Sequence, residues 1–275
     1  MAQFGNDLSL GVRTWFRSWQ FVFSKGLAIY FIYPIILSIL LSMGAVALIR
    51  EVVDYAMSFV RPFIESPPLD SSSTWEAVKQ VFQDIASFAV SFVLWIAAFY
   101  TFVKLSKYLI LALMSPVMAY LSERTDEILT GKKNPFSPAQ FIRDVVRGIA
   151  IAVRNLFIEL ILGWAILAAH LSITLFFPPA AVILAPVIPF VSFGIGAYFF
   201  GFSTIDYAFE RKRFSLRKSV QTMRSMKGVA VGNGALFSIL FYIPLIGVSI
   251  ATVTCTVAAV LAVHEKEKEG SLNPA

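Results

Sequence analysis

The sequence predicts an all-α integral membrane protein: two long transmembrane helices, two half-inserted helical hairpins and interfacial amphipathic helices. Three observations predict it. Residues 156–205 carry one ionised side chain, Glu159, and residues 229–263 carry none. Prolines break both runs: Pro178, Pro179, Pro186 and Pro189 in the first, Pro244 in the second. Hydrophobic residues make up 57% of the chain and charged residues 15%, a balance that belongs to a bilayer rather than a soluble core. Broken helices at membrane depth are tolerated only where protein or water covers the freed backbone groups.

The elements follow in chain order. Over 7–25, Leu8, Val12, Trp15, Trp19 and Val22 recur at helical spacing with Arg13, Arg17 and Gln20 opposite, the pattern of a helix lying in the membrane interface. Leu27–Ile49 has no charge over 23 residues, roughly 35 Å as a helix, and predicts the first span. Ala45-Val46-Ala47 imitates a signal-peptidase site, but the length of the run suits an uncleaved anchor. Residues 85–103 predict the second span, with Lys104 and Lys107 directly after it. Ser137, Pro138 and Gln140 open an amphipathic helix as N-cap, N1 and N3. That helix carries Arg143, Arg147 and Arg154 on one side, and two readings stand: a face gripping lipid phosphates, or an anion vestibule.

The two broken runs, 156–205 and 229–263, predict re-entrant hairpins. The limb from Val229 to Ile243 is too short to cross, and the limb from Pro189 to Ile205 is marginal. Between the hairpins, Ser215 opens a short basic helix that Gly228 can close. In the second hairpin Gly247, Ala251, Cys255 and Ala259 recur every four residues, and Ala230, Gly234 and Ser238 do so on the facing limb. Such stripes bring helices close in lipid. No linker-like stretch divides the chain, so residues 1–275 read as a single membrane domain.

Charge sets the expected orientation. Three basic residues against Asp7 precede the first span. Residues 50–84 hold three basic and six acidic residues, and Arg211, Lys212, Arg213, Arg217, Lys218, Arg224 and Lys227 cluster later. The positive-inside rule therefore puts both termini in the cytoplasm and 50–84 outside. The net charge of +6 implies anionic lipid as partner. Nucleic acid is excluded, because no soluble basic domain is present. Helix tips ending inside a bilayer need cover from other helices or another subunit, which implies a homo-oligomer.

Chemistry-bearing motifs are few. The lone Cys255 excludes an intramolecular disulfide and a Cys-based zinc site. No HExxH, Ser-His-Asp set, Walker motif or full dinucleotide fingerprint is readable, so neither an enzyme nor a cofactor is expected. Ionisable groups at membrane depth are default functional candidates, and these are Glu159, His170 and Asp206. Asp206 reads equally as a helix-end ion pair, and His170 as a hydrogen-bonded structural residue.

An ordered set of segments resembles a known family. Asp206-Tyr207-Ala208-Phe209 with the basic helix after it, Gly234-Ala235-Leu236-Phe237-Ser238, and Ile243-Pro244-Leu245-Ile246 are similar to the CysZ-type sulfate permeases within the wider etoposide-induced-protein-like family. Ser115-Pro116, Leu121-Ser122-Glu123, Leu129-Thr130-Gly131, and Trp19 through Lys25-Gly26 into Tyr33-Pro34 extend the likeness over about residues 10–265. The resemblance implies an oligomeric bacterial inner-membrane permease that takes up sulfate for cysteine synthesis by a channel-like route. It also implies paired arginines after the glycine opening the first span, where this chain has Ala28 and Ile29. The remaining candidates for anion binding at that mouth are Arg17, Lys25 and the backbone at Gly26. Two functions are therefore expected as alternatives: a permease for a small inorganic anion, or a non-transporting membrane scaffold that organises lipid.

Overall fold

The computed structural model describes residues 2–40, 50, 51, 54, 55, 58, 74–132, 137–243, 246–270 and 272. Every element among them is helical: α1 (Ala2–Ser24), α2 (Leu27–Leu40, opening as a 3-10 turn), α3 (Thr74–Leu113), α4 (Ser115–Thr130) and α5 (Pro138–Phe176). After these come α6 (Pro178–Leu184), α7 (Val187–Arg211), α8 (Leu216–Ser225), α9 (Lys227–Phe241) and α10 (Ile246–Lys268). Among the described residues four helices are long and apolar enough to cross a membrane: Gln80–Leu113 of α3, and α5, α7 and α10. The protein is thus an all-α membrane protein.

The chain divides into two compact units. Residues 39–106 form one, and residues 1–38 with 107–275 form the other. In the smaller unit the predicted span 85–103 lies within α3, which stacks Phe88 on Phe92 and Trp95 on Phe99, one turn apart. Residues 41–49 of the predicted first span, and most of 50–73, lie outside the described residues.

Helix boundaries in the larger unit follow local chemistry. Ser137 caps α5 by accepting from the Gln140 N–H at 3.4 Å, as the sequence predicts, and Ser215 caps α8 by accepting from Lys218 N–H at 3.2 Å. Gly26 has φ 71°, a left-handed turn costly for any residue with a Cβ, and α1 and α2 diverge there by 113°. Gly131, φ 70°, closes α4 through its N–H to Glu127 O.

Three expectations are corrected. The amphipathic helix from 137 and the first hairpin limb are one continuous helix, α5, 39 residues and about 58 Å long, since nothing between Arg154 and Leu156 breaks the ladder. The returning limb α7 begins at Val187, because Pro189 sits in a first turn where no intrahelical donor is lost, and its 25 residues suffice to cross. Gly228 does not close α8, which ends at Ser225; it lies inside α9, where the backbone of α1 comes too close for a Cβ. The Pro244 break falls outside the described residues, between α9 and α10.

Packing centres on α9, which is covered by α1, α7 and α10. A Cβ on Gly201 would fall on the Ala230 carbonyl oxygen, and one on Gly234 on that of Ala197, so α7 and α9 touch backbone to backbone. Gly11 and Gly232 do the same between α1 and α9. The small stripe of Ala230 and Gly234 therefore meets α7 rather than α10. On α10 Ala251, Cys255 and Ala259 are fully buried, and Asn233 of α9 reaches across to the Cys255 carbonyl at 3.0 Å. Phe200, Phe209 and Phe237 fill the remaining core.

The buried side of α1 also differs from the bulky apolar stripe. It runs Leu10, Thr14, Trp15, Ser18 and Val22, while Phe4, Phe16 and Phe23 point outward. Thr14 and Ser18 satisfy their hydroxyls on the Leu10 and Trp15 carbonyls of their own helix, and the Trp15 indole donates to Thr254 at 2.9 Å. Small, self-satisfied polar groups permit close approach, and the larger rings are left to the outside.

Candidate functional site

Where α5 begins and its antiparallel partner α7 ends, the polar side chains converge. Arg147 faces Asp206 squarely: Nε donates to Oδ2 and Nη2 to Oδ1, both at 3.0 Å. The same guanidinium donates to Ser219 Oγ at 2.6 Å and to the Phe214 carbonyl oxygen. Arg211 pairs with Asp144, and lies 3.6 Å from Glu123 and 3.9 Å from Glu210. Gln140 donates to the other oxygen of Asp144 and accepts from Arg143. Charged groups removed from water in this way hold only if paired, and here each carboxylate faces an arginine, although Arg211 Nε is buried without a hydrogen-bond partner.

The balance of this cluster is acidic, with Glu123, Asp144, Asp206 and Glu210 against Arg147 and Arg211. Arg147 and Arg211 are thereby committed to carboxylates, while Arg143 is exposed and donates to Gln140. Arg154, the third arginine of that face, lays its guanidinium over the Phe202 ring and donates to Asn155. Asn155 in turn donates to Ser203 and the Phe199 carbonyl across the α5–α7 contact. Asp206 thus forms the helix-end ion pair that one of its two sequence readings expects.

The other intramembrane candidates lie apart. Glu159 is buried on α5 and accepts from the Tyr108 hydroxyl at 2.6 Å. His170, further along α5, has a buried Nδ1 with no hydrogen-bond partner, against the expectation of a hydrogen-bonded histidine. Neither meets Asp206.

At the mouth, Lys25 and Gly26 are exposed at the α1–α2 bend, and Ile29 points outward at 63% exposure. Arg17 is not grouped with Lys25. It joins Arg13, one turn earlier on α1, and both bind the carboxylate of Glu265 near the end of α10. Beside them lies a groove of about 580 Å³ lined by Ser9, Val12, Arg13, Phe16, Arg17 and Gln20. Sequence reasoning missed Glu265, which stands 248 residues from Arg17. The shared face of Arg13 and Arg17 was readable; their partner was not.

A family model described as Sulfate transporter CysZ/Etoposide-induced protein 2.4 matches residues 14–250. The chain belongs to that family. The match begins within α1 and ends at the fifth residue of α10, so it takes in the buried α5–α7 ion pairs and leaves Arg13 and Glu265 outside. The CysZ/etoposide-induced protein family is one of transporters rather than enzymes, which sets a sulfate transporter-like role at family level. Comparison with curated proteins returned no match.

Proposed function

We propose that this member of the CysZ/etoposide-induced protein family is a permease for a small inorganic anion, sulfate first among the candidates. The family match over residues 14–250 carries the reading. It works in the cytoplasmic membrane of a bacterium with both termini inside, as the basic-residue asymmetry indicates. Nucleotide hydrolysis by this chain does not drive the flux, because no nucleotide-binding motif is readable in it. The hairpins α5–α7 and α9–α10 enter and leave on one face, and copies of the chain cover their outward apolar residues, such as Phe176 and Phe190.

With Ala28 and Ile29 in place of paired arginines, attraction at the mouth falls to Lys25 at the bend, helped at a distance by Arg13 and Arg17, whose two charges Glu265 only partly offsets. These act as a steering field rather than a tight clamp, and selectivity among anions is loose. Radiolabelled sulfate uptake into proteoliposomes tests this. Lys25→Ala lowers the flux, and Ala28→Arg with Ile29→Arg raises the affinity by adding charge-assisted donors.

A second reading has its own support. Arg147 and Arg211 pair with internal carboxylates and so are not free to bind a passing anion, which favours a non-transporting scaffold of this fold. Wild-type vesicles without uptake above empty ones favour that reading.

A further inference from the structure

We propose that Arg13 and Arg17 form a tetrahedral-oxyanion site whose resting occupant is the chain's own Glu265. The two arginines stand four apart on α1, so their side chains project from one face. Each takes a different oxygen of the same carboxylate: Arg13 Nη2 lies 3.0 Å from Oε2, and Arg17 Nη1 binds Oε1. The two oxygens of a carboxylate have nearly the spacing of one edge of a sulfate or phosphate group. Two guanidiniums placed for the first are therefore placed for the second.

The occupant is displaceable. The arginine side chains are 61% and 55% exposed, and ion pairs so exposed contribute little and are screened by salt. Glu265 is not what docks the end of α10. Its neighbours do that: Lys266 bonds the buried Asp7 at 2.7 Å and Glu267 bonds Lys212 at 2.7 Å. Releasing Glu265 leaves both contacts intact.

The groove beside the pair says what would enter. Ser9 and Gln20 add further hydrogen-bond donors to its lining, and Val12 and Phe16 add apolar surface. Such a lining takes a free oxyanion, or the phosphate of an anionic lipid with its glycerol against Phe16. Only the free-anion case rests on the permease reading. Binding is measured without flux, so a chain that binds but does not transport, or the reverse, separates the two.

The test is equilibrium binding to the full chain in detergent, with radiolabelled sulfate in one arm and short-chain phosphatidylglycerol against phosphatidylcholine in the other. Glu265→Gln removes the occupant's charge and is expected to tighten one ligand at least tenfold; Glu265→Ala gives a second reading should the first variant fold poorly. Arg13→Gln with Arg17→Gln is expected to weaken the same ligand more than tenfold. Tightening of sulfate identifies a free-anion site, and tightening of phosphatidylglycerol alone identifies a lipid site. Unchanged affinity for both ligands in the Glu265 variants, or in the double arginine variant, overturns the proposal.

Discussion

Arg147 of α5 grips Asp206 of α7 through two parallel hydrogen bonds of 3.0 Å, and this pair ties the two longest limbs of the larger unit together at one end. Removing the arginine would leave a buried carboxylate without a counter-charge. Arg147→Met should therefore destabilise by about 3–5 kcal/mol. Removing both charges, as Arg147→Met with Asp206→Leu, should recover much of that loss, because a matched apolar pair no longer pays desolvation. Thermal unfolding in detergent reads both. A single variant no less stable than the double one would mean that the pair is not holding the limbs.

The backbone contacts between α7 and α9 make a second prediction. Gly201→Val and Gly234→Val each drive a side chain into a facing carbonyl, and should abolish the folded elution peak in detergent. Gly194 lies on the same α7 with open space around its Cβ position. Gly194→Ala should be tolerated, and gain about 0.5–1 kcal/mol from helix propensity. Equal behaviour of the three variants in size exclusion would argue against a close α7–α9 crossing.

Orientation can be read with the native cysteine in place. Cys255 is fully buried, so it should stay silent to a membrane-impermeant maleimide. Ser72→Cys should label from outside intact cells, and Arg217→Cys, exposed on α8, only after lysis. External labelling at position 217 in every molecule would contradict cytoplasmic termini with hairpins between them.

How much of this was legible in the sequence depends on the range of the interaction. Local chemistry read well: Ser137 and Ser215 cap the helices they were expected to open, and the apolar runs are helical wherever they fall among the described residues. The packing faces read less well. A stripe of bulky residues marks the buried side of a soluble helix, yet α1 buries Thr14 and Ser18 and turns Phe16 outward, because lipid rewards close backbone approach over ring burial. The site was least legible. Arg147 looked like part of a free basic face until folding brought Asp206, Phe214 and Ser219 around it, and Glu265 belongs to no motif in the sequence. Long-range pairing of this kind leaves no periodic trace.

The central claim is that the chain passes sulfate. The measurement that tests it most directly is uptake of radiolabelled sulfate into proteoliposomes holding the purified wild-type chain, beside Lys25→Ala and empty vesicles. The account predicts flux above empty vesicles for the wild type and a lower flux for Lys25→Ala. Wild-type uptake equal to that of empty vesicles, from protein that elutes as a folded species, would contradict it.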